Sequence, residues 1–142
     1  MSARPHSAKA VAPKKKASKS SAGAEPKTSG RIKEFAEFRR RMNERILEHD
    51  NQVVRRFFAL DTQTYKDGAL GLKTKELLGL VASLVLRCDD CISYHIAQCR
   101  DAGVNRDEFF EAFSVGLVVG GSIVIPHLRR AVDFLDQLEG EG

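Results

Sequence analysis

From residue 31 onward the apolar side chains recur every three or four positions, the spacing of a helix face rather than of a strand. Ile32, Phe35, Phe38, Met42 and Ile46 form the first stripe, and Glu34, Glu37, Arg41, Glu44, Arg45 and Glu48 make a mixed-sign face opposite it. That charge pattern reads as a solvated surface with weak i,i+4 pairing. A pause at His49-Asp50-Asn51 leads to a second, shorter helix marked by Val53, Val54, Phe57, Phe58 and Leu60. Asp67-Gly68 and Gly71 make Tyr65 to Gly71 a turn. A strongly apolar helix then runs from Leu72 through Glu76, Leu77, Leu80, Val81, Leu84 and Val85 and ends near Arg87. The next helix begins at Cys88, with Asp89 and Asp90 in its first turn, where acidic side chains complement the helix dipole. Gly103 suits the position just past its end.

Asn105 followed by Glu108 is a helix-start signature, so another helix is expected from Arg106 to about Val119, broken by Gly120-Gly121. The last helix runs from Ser122 or Ile125 to Leu138, with Pro126 near its start, where a missing N–H costs least. No stretch sustains a period of two. The expectation is an all-α fold of five or six helices. Spanning a membrane takes about 20 apolar residues, and the purest run, Leu77 to Leu86, has ten. The run from Ala112 to Pro126 is interrupted by Gly116, Gly120 and Gly121. Both read as buried helices of a compact or oligomeric protein.

Composition changes this picture mainly at the N-terminus. The chain has 142 residues, 42% of them apolar, enough for one domain. Residues 1–30 hold six Lys and one Arg against the single acid Glu25, a net of +6, whereas the remainder carries 16 basic and 18 acidic side chains and is near −2. The first 30 residues are expected to be a disordered basic tail, since Met1 and Val11 are their only large apolar residues. Residues 31–142 are the expected helical domain. A pI near 9.1 is therefore no argument for a nucleic-acid-binding domain, and polyanion contact is confined to the tail. The tail has no apolar core of a secretory signal, and the expected compartment is the cytoplasm.

Cys88, Cys91, His95 and Cys99 are spaced 3, 4 and 4 apart, which on one helix makes a single stripe. Cys88 and Cys91 form a C-x-x-C at a helix start, where the dipole stabilises a thiolate. All four cannot share one metal, because Cys88 and Cys99 are about 16 Å apart along a helix, far more than zinc ligation permits. The leading reading is a redox dithiol. A three-ligand metal site from Cys88, Cys91 and His95 with a distant fourth ligand, or a pair of inert buried thiols, stands beside it. His95, one turn beyond Cys91, can take a thiol proton. Glu76 is the one acid in the apolar stretch from Leu72 to Leu86, either buried with a partner or a first-turn charge facing water. Cys99 reads as a small buried hydrophobe, and His127 after Pro126 as a structural histidine at the start of the last helix or, as the alternative, a residue lining the site or an interface.

The run K-T-K-E-L-L-G-L from Lys73 to Leu80, followed by C-D-D-C-I-S-Y-H from Cys88 to His95, resembles the alkylhydroperoxidase D-like proteins of the carboxymuconolactone decarboxylase superfamily. The resemblance continues through A-G-V-N-R-D-E-F-F-E-A and Gly120-Gly121. It implies a helical fold assembled as a homo-oligomer, trimer or hexamer, with Cys88 and Cys91 as a redox-active pair and Glu76 and His95 as a proton relay. It implies a thiol-dependent peroxidase or disulfide reductase that acts on a hydroperoxide, is restored by an external dithiol and needs no cofactor or metal. Cys91 would attack and Cys88 resolve. The best-known member has a His where this chain has Asp90, and a negative charge beside the dithiol raises thiol pKa values. Two alternatives are a lyase of the carboxymuconolactone decarboxylase type and a redox-sensing helical adaptor whose basic tail binds a partner.

Overall fold

A computed structural model describes residues 28–140, so the expectation for residues 1–30 lies almost wholly outside the described residues. Six α-helices follow one another: α1 (Thr28–Glu48), α2 (Gln52–Thr64), α3 (Leu72–Val85), α4 (Asp89–Asp101), α5 (Arg106–Gly120) and α6 (Ile125–Gly140). A single 3-10 turn, Ser122–Val124, precedes α6, and the described residues contain no strand. The helix α1 begins three residues ahead of the expected boundary. The helix α2 runs four residues beyond Leu60, because Asn51 caps its start through Val53 and Val54 N–H and Lys75 Nζ donates to the Thr64 carbonyl at its end.

The centre of the fold is the antiparallel pair α3 and α4, joined by only three residues. Leu86 closes α3, and Arg87 takes the left-handed conformation (φ 61°). Its N–H donates to the Leu84 carbonyl while Cys88 N–H donates to that of Ser83, a Schellman closure in which Arg occupies the place usually held by Gly. Cys88 is thus both the last residue of that closure and the N-cap of α4. The far end of α4 closes in the same way, with Gly103 (φ 78°) at the left-handed position and Val104 N–H donating to the Cys99 carbonyl. There the sequence expectation and the structure coincide. The capping box of Asn105 and Glu108 then starts α5, and Glu108 also accepts an ion pair from Lys73 of α3 at 2.8 Å. These two donors, Lys73 first and the Asn105 N–H second, hold the Glu108 carboxyl below its ordinary range.

Leu80 and Leu84 of α3 meet Ile92, Ile96 and Cys99 of α4, Phe109 and Phe113 of α5, and Phe134 and Leu135 of α6 in one core. The helix α1 lies on α6, with Phe35 edge-on to Phe134 at 5.7 Å. The expectation that the two apolar runs form buried helices holds for one face of each only. Leu78 of α3, Leu86 just past its end, and Val115, Val118 and Val119 of α5 are exposed, Val118 by 86%. An open groove of about 710 Å³ runs between these two faces. The helix α2 has no buried residue at all.

Leu84 is fully enclosed, so Leu84→Ala is expected to destabilise the fold by about 2–5 kcal/mol through lost burial and the cavity left behind. A fall in the urea midpoint without a change in slope would check it.

Candidate functional site

Glu76 sits in the second turn of α3, on the face turned toward α4, and is 1% exposed. The solvated alternative for this residue is thereby overturned. Burying a carboxylate needs a partner, and His95 supplies it: the distance from His95 Nδ1 to Glu76 Oε2 is 2.7 Å. His95, 8% exposed, lies on α4 one turn beyond Cys91. This contact engages Nδ1 and leaves Nε2 as the other nitrogen of the ring. Nε2 and Cε1 lie against Gly79, where an added Cβ would fall 2.8 and 2.6 Å from them and 2.8 Å from Tyr65 Oη. Only a residue without a side chain lets the imidazole edge and the phenol approach α3 so closely.

Two tyrosines complete the enclosure. The Tyr94 ring stands edge-on to His95 at 5.2 Å and is covered by the Arg39 guanidinium, 3.9 Å from its centroid, while the Tyr65 ring lies 5.6 Å from His95. Burial, and then the Glu76 charge, raises the pKa of both phenols. A polar cavity of about 430 Å³ opens beside them, with Glu76, Tyr65, Tyr94, Asp61, Lys66 and Gln98 in its wall. The sequence reading left Tyr65 in a turn and gave Tyr94 no role. The tyrosine next to His95 in the motif was the available signal.

Cys88 and Cys91 form a disulfide with Cα atoms 5.3 Å apart, and Cys91 N–H donates to Cys88 Sγ at 3.4 Å. The N-cap position exposes Cys88 Sγ to the unpaired N–H groups of the first turn, an arrangement that favours its thiolate once the pair is reduced. Cys99, further along the same stripe, is in the opposite setting. It is fully buried, and burial together with the Glu76 charge pushes its thiol up to about 12. Among the described residues no three His, Cys, Asp or Glu side chains come together as a metal-holding set.

The acidic pair inside the C-x-x-C divides. Asp90 is exposed, whereas the Asp89 carboxylate is held by α6, at 2.7 Å from His127 Nδ1 and 3.0 Å from Arg130 Nη1. His127 therefore belongs to the surroundings of the dithiol. The sequence gives no sign of this contact, which depends on how α6 lies across the start of α4.

The profile of the carboxymuconolactone decarboxylase family matches residues 51–134. The chain belongs to that family. Protein 4 of the cox locus of Paracoccus denitrificans is 30% identical over 84 residues, 59% of this chain and 76% of that one. A protein of Cupriavidus necator is 26% identical over 73 residues, 51% of this chain and 65% of its own. A crystal structure of a Thermotoga maritima protein superposes with a TM-score of 0.75 at 56% identity, covering 77% of this chain and 96% of that one. A second crystal structure of that same Thermotoga maritima protein (TM-score 0.73, 55% identity, 75% and 91% coverage) describes it as a carboxymuconolactone decarboxylase family protein for which a part in the antioxidative response has been suggested. A Legionella pneumophila family member matches at 0.52 and 28% identity over 80% of this chain and 91% of its own. No helix among the described residues is long and apolar enough to cross a membrane.

Because the Cys99 thiol is pushed up to about 12, iodoacetamide at pH 8 is expected to label Cys88 and Cys91 of the reduced, folded protein and leave Cys99 unmodified. Peptide mass spectrometry would read the positions, and labelling of Cys99 as fast as the other two would contradict its placement.

Proposed function

We propose that this family member is a thiol-dependent peroxidase of the alkylhydroperoxidase D type, working in the cytoplasm on hydroperoxides with Cys88, Cys91, His95 and Glu76 as its catalytic residues. The observation that carries the reading is a C-x-x-C disulfide in the first turn of α4, one turn ahead of a buried His95–Glu76 pair. His95 is four residues, about 6 Å of helix, beyond Cys91, so the imidazole is on the stripe of Cys91 with Nδ1 engaged by Glu76 and Nε2 as the nitrogen that would take the proton.

In the proposed cycle His95 takes the Cys91 proton, and the thiolate attacks the terminal oxygen of the hydroperoxide. The S–O bond forms, the O–O bond breaks, and the alkoxide leaves as an alcohol with the proton from His95. The Cys88 thiolate, stabilised at the N-cap, then attacks the sulfenic sulfur. The S–S bond forms and the hydroxide leaves, protonated, as water. An external dithiol reduces the disulfide by exchange and is itself oxidised. Glu76 keeps Nδ1 protonated throughout and steadies the imidazolium. The Asp90 charge, which weighs against thiolate formation, lies out in solvent, where water screens it.

Reduced protein mixed with one equivalent of hydroperoxide is expected to fall from three free thiols to one, with no such loss for Cys91→Ser and at least about a tenfold slower loss for Glu76→Gln. Three persisting thiols, or equal loss in Cys91→Ser, would sink the proposal.

The exposed apolar faces of α2, α3 and α5 support a homo-oligomer, proposed as a trimer or hexamer of the 15.7 kDa chain. Sedimentation is expected to give three or six times the chain mass for the native protein and a smaller species for Val118→Asp. A native monomer at micromolar concentration would remove this part.

A further inference from the structure

We infer that His127 and Arg130 of α6 set the reactivity of the dithiol by neutralising Asp89, which makes both of them positioning residues of a site that α6 shares with α3 and α4. The inference rests on Cys88 and Cys91 being the redox pair proposed above, and concerns how their thiolates are tuned.

Asp89 is the first residue of α4, flanked by the N-cap sulfur of Cys88 and two residues ahead of Cys91. An anionic carboxylate there opposes thiolate formation, while the helix N-terminus favours it. Left alone, Asp89 would cancel much of what the N-cap position gives the sulfurs. It is not left alone, because both carboxylate oxygens are occupied: Oδ1 accepts from His127 Nδ1 at 2.7 Å and Oδ2 from Arg130 Nη1 at 3.0 Å. A carboxylate only accepts, so His127 carries its proton on Nδ1. Arg130 is charged at every working pH. The two donors are three residues apart and therefore on one face of α6. The His127 side chain is four-fifths covered, whereas Asp89 and Arg130 stay about half exposed, so the bond to His127 is partly shielded and Arg130 supplies the compensating charge from the rim. Asp90, the other carboxylate of the motif, is exposed and lies outside this arrangement.

Charge neutralisation and a mere mechanical clamp between α4 and α6 make opposite demands on substitutions. A clamp is lost whichever end is cut, so Asp89→Asn and Arg130→Met would change the dithiol in the same direction. Neutralisation requires opposite signs. Without its charge Asp89 no longer opposes the thiolates, and without Arg130 the Asp89 charge acts on them uncompensated.

The experiment measures the alkylation rates of Cys88 and Cys91 by iodoacetamide in the full-length reduced protein at pH 7, and the midpoint of the disulfide in dithiothreitol buffers. Asp89→Asn is expected to raise the faster alkylation rate about threefold and Arg130→Met to lower it about threefold, the effect of a neighbouring charge that remains partly in water. His127→Gln, a second variant should Arg130→Met fold poorly, is expected to move in the same direction as Arg130→Met. The midpoint should become less negative for Asp89→Asn and more negative for the other two, since a stabilised thiolate favours the reduced form. In the Asp89→Asn background, Arg130→Met should lose most of its effect. Shifts of the same sign for Asp89→Asn and Arg130→Met, or rates equal to the native protein, would overturn the inference. A disulfide that neither forms nor opens in the exchange buffers would instead count against the redox reading, and the alkylation rates would still judge the charge effect.

Discussion

A carboxylate enclosed between helices forces its surroundings to answer it, and Glu76 is that group here. Removing one partner of a buried charged pair leaves an uncompensated charge and costs about 3–5 kcal/mol, so His95 must meet it wherever α3 and α4 pack. The requirement fixes the register of the hairpin, because a shift of α4 by one residue would carry His95 round to another face. The three-residue link delivers that register through Arg87, which accepts a left-handed backbone so that Cys88 can end one helix and begin the next. The C-x-x-C stands at the start of α4 because the hairpin turns there, and one turn later the same helix presents His95 to Glu76.

The Glu76 charge also sorts the acidic groups around it. Tyr65, Tyr94 and Cys99 all ionise less readily in its presence, with burial as the larger cause for each. All three are protonated at ordinary pH in any case, and the shift moves them further from ionising. The two ends of α4 show the contrast with one residue type. Cys88 meets unpaired N–H groups at the N-terminus, whereas Cys99 is sealed in the core beside a carboxylate. Position on the helix, more than chemistry of the thiol, separates the cysteine proposed as redox-active from the packing one.

Spacing made much of this architecture legible in advance. Helices α3 to α6 lie close to where the apolar periodicity puts them, the capping box and Gly103 mark their ends, and the stripe of Cys88, Cys91 and His95 follows from intervals of three and four. The missing parts all depend on contacts between distant segments. Glu76 could be buried or solvated as long as its partner, 19 residues away, was unknown. The bond between His127 and Asp89 spans 38 residues and requires the placement of α6 over α4. Arg87 carries no sequence mark of a left-handed residue, since Gly or Asn is the usual occupant. The motif drew attention to Asp90 because of its place before Cys91, and packing shifted the weight to Asp89.

The helix α2 ties the site to the outer surface. None of its own residues is buried, and Phe57 is 69% exposed, yet its C-cap residue is Tyr65, whose hydroxyl reaches the Gly79 backbone beside the His95 ring. Lys75 of α3 fastens that end by donating to the carbonyls of Thr64 and Lys66, at 2.9 and 2.5 Å. A helix with no buried residue and a row of uncovered apolar side chains is marginal on its own. In the proposed oligomer, a subunit covering Val53, Phe57 and Leu60 would also steady Tyr65 and one wall of the cavity next to Glu76. Assembly and the shape of the site would then be coupled through a single tyrosine at a helix end.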